Sequence, residues 1–110
     1  MDTLAKALIS RASGQSKLRV DDVVICEVDL AMIHDSGGPR RVKPILDRLQ
    51  RQVWDKDKIV VVTDHYVPAD NAETQAIQAL TKQWVQDQSI DKFYDEQGPA
   101  MKKAKKNAKN

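Results

Sequence analysis

Four β-branched aliphatic residues in unbroken succession, Ile59-Val60-Val61-Val62, constrain this chain more than any other stretch. Branching at Cβ restricts χ1, which disfavours helix and suits the pleated surface of a sheet. A strand with one wet face alternates apolar and polar residues. An unbroken apolar run reads as a strand covered on both faces, as in the middle of a parallel α/β sheet. The run passes directly into Thr63-Asp64-His65-Tyr66-Val67-Pro68. Ligands of open α/β sheets bind outside the carboxyl ends of the strands, so Asp64 and His65 stand where chemistry is expected.

The flanking sequence supplies the rest of such a sheet. Thr3 is a suitable N-cap for a short helix with Leu4, Ala7 and Leu8 at helical spacing, closed by Gly14. Val23 to Leu30 predicts the first strand, extended by Ala31-Met32-Ile33 and ending at His34-Asp35. Ser36-Gly37-Gly38-Pro39 is a turn, and Pro39 suits the first position of a second helix that must accommodate Pro44. Asp70, with Glu73 three residues on, predicts the N-cap of a third helix running to about Gln88. Ala76, Ile77, Leu80 and Trp84 mark its apolar stripe. Ile90 to Tyr94 reads as a third strand.

Alternation of helix and strand predicts an α/β fold: a three-layer α/β/α arrangement with a small, mostly parallel sheet and right-handed crossovers. Parallel strands end on one edge. His34-Asp35, Asp64-His65 and Asp95-Glu96-Gln97 therefore fall together there, on strands about 4.8 Å apart.

Composition narrows the function classes. The chain has 110 residues, enough for one modest core, and no run approaches the length of a membrane span. The start carries no basic-then-apolar leader, so a cytoplasmic location and no membrane partner are expected. Cys26 is the only cysteine, which excludes an internal disulfide and a cluster held by several thiolates of this chain. The net charge of +2 belongs to residues 99–110, which carry five lysines and no acid. Without those lysines the balance is 13 basic to 16 acidic residues, a net of −3. That tail lacks interleaved aromatics and apolar periodicity. It reads as a disordered, solvated segment, with no nucleic-acid partner expected.

Both histidines sit beside an aspartate at a strand end. A carboxylate next to an imidazole fixes its tautomer and raises its basicity, giving a proton donor or acceptor near neutral pH. The same atoms are possible metal ligands. Asp and His are also common loop formers, and Asp64 can serve merely to cap the backbone after the strand.

At these residues the chain resembles the N-terminal part of the large subunit of 3-isopropylmalate dehydratase, in the aconitase superfamily. The matching stretches are Thr3-Leu4-Ala5, Ile9 to Gly14, Glu27 to Leu30, His34-Asp35, Gly38-Pro39, Val53-Trp54-Asp55, Lys58-Ile59-Val60, Asp64 to Pro68, and Lys92 to Asp95. The resemblance implies a partial aconitase-like domain over 1–98 and a Lys-rich tail foreign to the family over 99–110. The family are hydro-lyases that dehydrate and rehydrate a 2-hydroxy di- or tricarboxylic acid such as 3-isopropylmalate, in leucine biosynthesis. They use a [4Fe-4S] cluster and a small-subunit partner.

By the resemblance, His65 is the proton donor to the leaving hydroxyl and Asp64 orients it. His34 and Asp35 are substrate-facing. The family's cluster cysteines have no counterpart here, and Cys26 matches none of them, so no cluster is expected on this chain alone and no activity unaided. Two other expectations remain open: a metal-dependent hydrolase using His34, Asp35, Asp64 and His65, and a non-catalytic module that docks on a partner subunit.

Overall fold

A computed structural model describes residues 3–96 and 98–99. Of the predicted tail, all but Pro99 lies outside the described residues. The elements in chain order are α1 (Leu4–Ser13), β1 (Ala31–His34), α2 (Pro39–Leu49), β2 (Ile59–Val62), α3 (Ala72–Asp87), β3 (Lys92–Asp95) and β4 (Gly98–Pro99). A short 3-10 turn, Lys56–Lys58, leads into β2.

The strands lie in the order β1-β2-β3-β4. The first three are parallel, and β4 turns back antiparallel on β3. The predicted α/β class with a small, mostly parallel sheet is the one observed. The β-branched run is the second strand of four and the best covered: Val60 is 9% and Val61 0% exposed. Val61 packs with Trp84 and Val85 of α3, Ile90 and Phe93. Ile33, Val42, Leu46, Val53 and Ile59 close the edges of this core. The consecutive parallel crossovers run in one direction, and α2 and α3 pack side by side.

Local signals set most element ends. Thr3 caps α1 by accepting the Lys6 N–H, and Gly14 closes it at φ 71°, the left-handed geometry that glycine adopts freely. Pro39 opens α2, which then carries Pro44 within it. The cap of α3 is one residue later than predicted. Asn71 rather than Asp70 accepts the Thr74 N–H, and the Thr74 hydroxyl faces the Asn71 N–H in return. Placing the cap at Asn71 gives a side chain of the right length at both ends of the box, which Asp70 and Glu73 would have supplied one residue earlier. The buried stripe of α3 also shifts, to Ile77, Thr81, Trp84 and Val85. Thr81 enters the core because its hydroxyl is satisfied within the helix, donating to Ile77 O at 2.8 Å.

The first strand is the main correction. Val23 to Leu30 does not pair in the sheet, and β1 occupies Ala31–His34 alone. Strand formation needs a hydrogen-bonding partner, and the register pairs Ala31 with Ile59 and His34 with Val62. Anchors at the far end of β1, described below, fix that register. The upstream run instead lies beside α1, with the Glu27 N–H donating to Ala12 O at 2.9 Å. It leaves Val23 96% and Ile25 93% exposed.

Candidate active site

The ends of β1 and β2 are tied together by one buried carboxylate. Asp35 follows β1 and is fully buried. Its Oδ1 accepts the backbone N–H of His65 at 3.2 Å, and its Oδ2 accepts that of Tyr66 at 3.1 Å. Its own N–H donates to Val62 O at 3.1 Å. Two further bonds hold the segment after β2: Thr63 donates its N–H to Tyr94 O of β3 at 2.9 Å, and Gln78 of α3 donates to Tyr66 O at 2.9 Å. The loop carrying Asp64 and His65 is thus fixed from β1, β3 and α3.

The turn after β1 is equally constrained. Gly38 donates its N–H to His34 O at 2.8 Å. A Cβ at position 38 would lie 2.0 Å from Ile33 Cγ2 and 2.3 Å from His34 O. Glycine is required there by close approach, since no side chain fits between the turn and β1.

Asp64 then joins both imidazoles. Its Oδ1 is 2.7 Å from His65 Nδ1 and 3.0 Å from His34 Nδ1, and its Oδ2 is 3.1 Å from the latter. An ionised carboxylate only accepts, so both Nδ1 atoms carry their protons and donate them to Asp64. That leaves Nε2 of each ring as the variable position, a base when bare and an acid when protonated. The rings meet edge to face with centroids 5.1 Å apart. Hydrogen bonding by His65, then by His34, lowers the Asp64 pKa below the usual carboxylate value. Hydrogen bonding to Asp64, helped by the charges of Asp64 and Asp35, raises His65 above the ordinary imidazole value. Each shift favours the charged form of its group. All three side chains remain open to solvent.

The four residues singled out from the sequence therefore converge, with an unequal division of work. His34, Asp64 and His65 face outward. Asp35 stands at the expected place in the chain, but both its oxygens are taken up by the backbone, and it reaches His65 Nδ1 only at 3.6 Å. Asp95 ends β3, while the cluster is built from the ends of β1 and β2. Sequence reading missed that Asp64 serves both histidines, and it missed Gln78 and Thr63 as supports. A carboxylate in each of two adjacent strand ends was the available signal for a cross-strand link. Arg40 at the start of α2 adds a cation nearby, its guanidinium carbon 5.9 Å from the Tyr66 ring centre.

An apolar hollow of about 550 Å³ lies at the opposite edge of the sheet, bordered by Ala31 and Ile59, the first residues of β1 and β2. Cys26 lines it as well. The sole cysteine is thus on the wrong edge to take part in the His–Asp–His cluster.

No family model matches the chain. Among curated proteins it is 40% identical over 93 residues to 3-isopropylmalate dehydratase large subunit 1 of Methanopyrus kandleri, covering 84% of this chain and 22% of that protein. The large subunit of Herpetosiphon aurantiacus is 36% identical over 94 residues, again 84% of this chain and 22% of the relative. A probable methanogen homoaconitase large subunit of Methanothermobacter thermautotrophicus is 30% identical over 91 residues, 79% and 21% of the two chains. The chain thus spans about a fifth of the length of these relatives. With the likeness running through most of its own length, including the segment that gathers His34, Asp64 and His65, the chain belongs to the 3-isopropylmalate dehydratase large-subunit family.

Proposed function

We propose that this chain carries the proton-handling corner of a hydro-lyase site for a 2-hydroxy acid of the 3-isopropylmalate type, in leucine biosynthesis. The observation that carries the reading is Asp64 bridging two solvent-facing imidazoles at the carboxyl edge of the sheet. In this role His65, protonated at Nε2 and held by Asp64 at Nδ1, gives a proton to the departing hydroxyl. The C–O bond breaks and water leaves. His34 contacts the substrate, and Asp35 is a positioning residue that sets the backbone of His65. The reading assigns removal of the carbon-bound proton to a base in the further polypeptide.

The [4Fe-4S] cluster that the family resemblance implies does not fit the residues present. It calls for several thiolates, and the chain has one cysteine, exposed at the opposite sheet edge. No step of this proposal therefore runs through a cluster. The reading instead places the rest of the machinery in further large-subunit polypeptide and in a small subunit. Exposed Val20, Val23, Ile25 and Trp54, each more than nine-tenths accessible, support a surface that such polypeptide covers. No helix among the described residues is long and apolar enough to cross a membrane, and a cytoplasmic setting is part of the proposal.

Titration with 3-isopropylmalate, followed by the ring resonances of His34 and His65, tests the reading. Saturable shifts of both rings, lost in His34→Ala, are the expected result. Absence of any shift at millimolar substrate overturns substrate binding. Unaided dehydration of 3-isopropylmalate by the purified chain overturns the need for further polypeptide.

A further inference from the structure

The outward-facing cluster is also a set of metal donors. One nitrogen from each of His34 and His65 and one oxygen of Asp64 all lie within 4.8 Å of one another. Donors about 2.1 Å from a common ion are about 3.0 Å apart at right angles and about 3.4 Å apart in a tetrahedral shell. The Nδ1 to Oδ1 separations across Asp64 are 3.0 and 2.7 Å, so small ring rotations bring the donors to that spacing. An ion held by these atoms would displace the two imidazole protons that Asp64 now accepts. The side chains of His34, Asp64 and His65 are 36%, 43% and 51% exposed, so water or a ligand can complete the coordination. Two imidazoles and a carboxylate suit a borderline transition ion, whereas magnesium and calcium take all-oxygen shells.

The backbone beneath the set is preorganised. His65 and Tyr66 are pinned by the buried Asp35, and the β1–β2 register fixes His34 opposite Val62. The donors come from two strand ends 30 residues apart, but they are held by one sheet rather than by a mobile loop.

We propose that His34, Asp64 and His65 form a site for one divalent transition-metal ion, such as zinc or cobalt, with open coordination positions. Ion binding uses this chain's residues alone, and it competes with the proton-handling state, since the ion takes the atoms that now share the imidazole protons.

The test uses the full chain without a polyhistidine tag and Co²⁺ as the probe. The expected result is a visible cobalt absorption that saturates at one ion per chain and is unaffected by excess Mg²⁺. His34→Ala, His65→Ala and Asp64→Asn should each weaken binding by about tenfold or more. Far-UV circular dichroism of each variant checks that the sheet is intact, and Glu27→Gln, at the other edge, should bind as the parent does. Saturation at no defined stoichiometry, equal binding by the folded His34→Ala and His65→Ala variants, or displacement by Mg²⁺ overturns the site. Substrate-induced ring shifts without cobalt binding would sink the metal site and leave the hydro-lyase reading standing; the reverse pattern would do the opposite.

Discussion

Val23-Val24-Ile25-Cys26 and Ile59-Val60-Val61-Val62 are nearly the same kind of sequence, yet they meet opposite fates. The second is the best-buried strand of the sheet, with Val61 wholly enclosed. The first is unpaired and largely in solvent, and α1 beside it buries none of its residues. β-propensity is common to both, so it does not decide. What differs is the company each run keeps. Ile59–Val62 has a parallel partner on each side and α3 over it, whereas Val23–Cys26 has only a contact to α1. Strand identity here is a property of the pairing.

The contrast can be broken first in the core. Trp84→Ala should cost about 3–5 kcal/mol by urea denaturation, enough to unfold most of a domain this small. Trp84→Phe should cost clearly less, because it keeps most of the packing. It also removes an indole N–H that is buried without a partner among the described residues. Equal losses for the two would place the energetic centre of the fold elsewhere.

Next in size is Gly38→Ala. The added methyl must displace Ile33 or the His34 carbonyl, at a cost of about 1–3 kcal/mol. It should also move the His34 ring resonances, which a merely flexible turn would leave alone.

Asp64→Asn has little effect on stability, since the group is exposed, but it should bring the His65 titration back down toward the ordinary imidazole value. The Asp64 pKa is lowered in the fold, so its contribution is present at neutral pH and is lost as pH falls through that lowered value. The His65 pKa is raised, so its contribution is complete below about 6.5, the ordinary value, and fades as pH rises through the raised one. The charged pair is therefore best formed in mildly acidic solution. An unchanged His65 titration in Asp64→Asn would remove Asp64 as its orienting group.

Smallest of all is Ile25→Ser. At 93% exposure it should shift the unfolding midpoint by no more than about 0.5 kcal/mol in free energy. A loss several times larger would mean that the 23–30 segment is packed after all.

The sequence disclosed those features whose physics is local. A double-sided apolar run identified β2, Thr3 and Gly14 bounded α1, and Pro39 opened α2. Carboxylate–imidazole pairs after two predicted strands marked the residues that the structure gathers at the candidate site. What stayed hidden depended on residues distant in the chain. The start of β1 was set by its register with Ile59. The burial of Asp35 required the N–H groups of residues 65 and 66 to arrive from another strand. None of these is visible in a window of ten residues.

Asp35 finally bears on how the molecule comes to be assembled. The link from Asp35 to the backbone of His65 spans 30 residues and has no local substitute. Closing a loop of that length costs chain entropy before any contact rewards it. His34 can thus meet Asp64 only after β1 and β2 have zipped, which makes the three-residue cluster a late product of folding. The His34 ring resonance should accordingly report completed chain pairing in a refolding experiment, appearing with the sheet and not with α1.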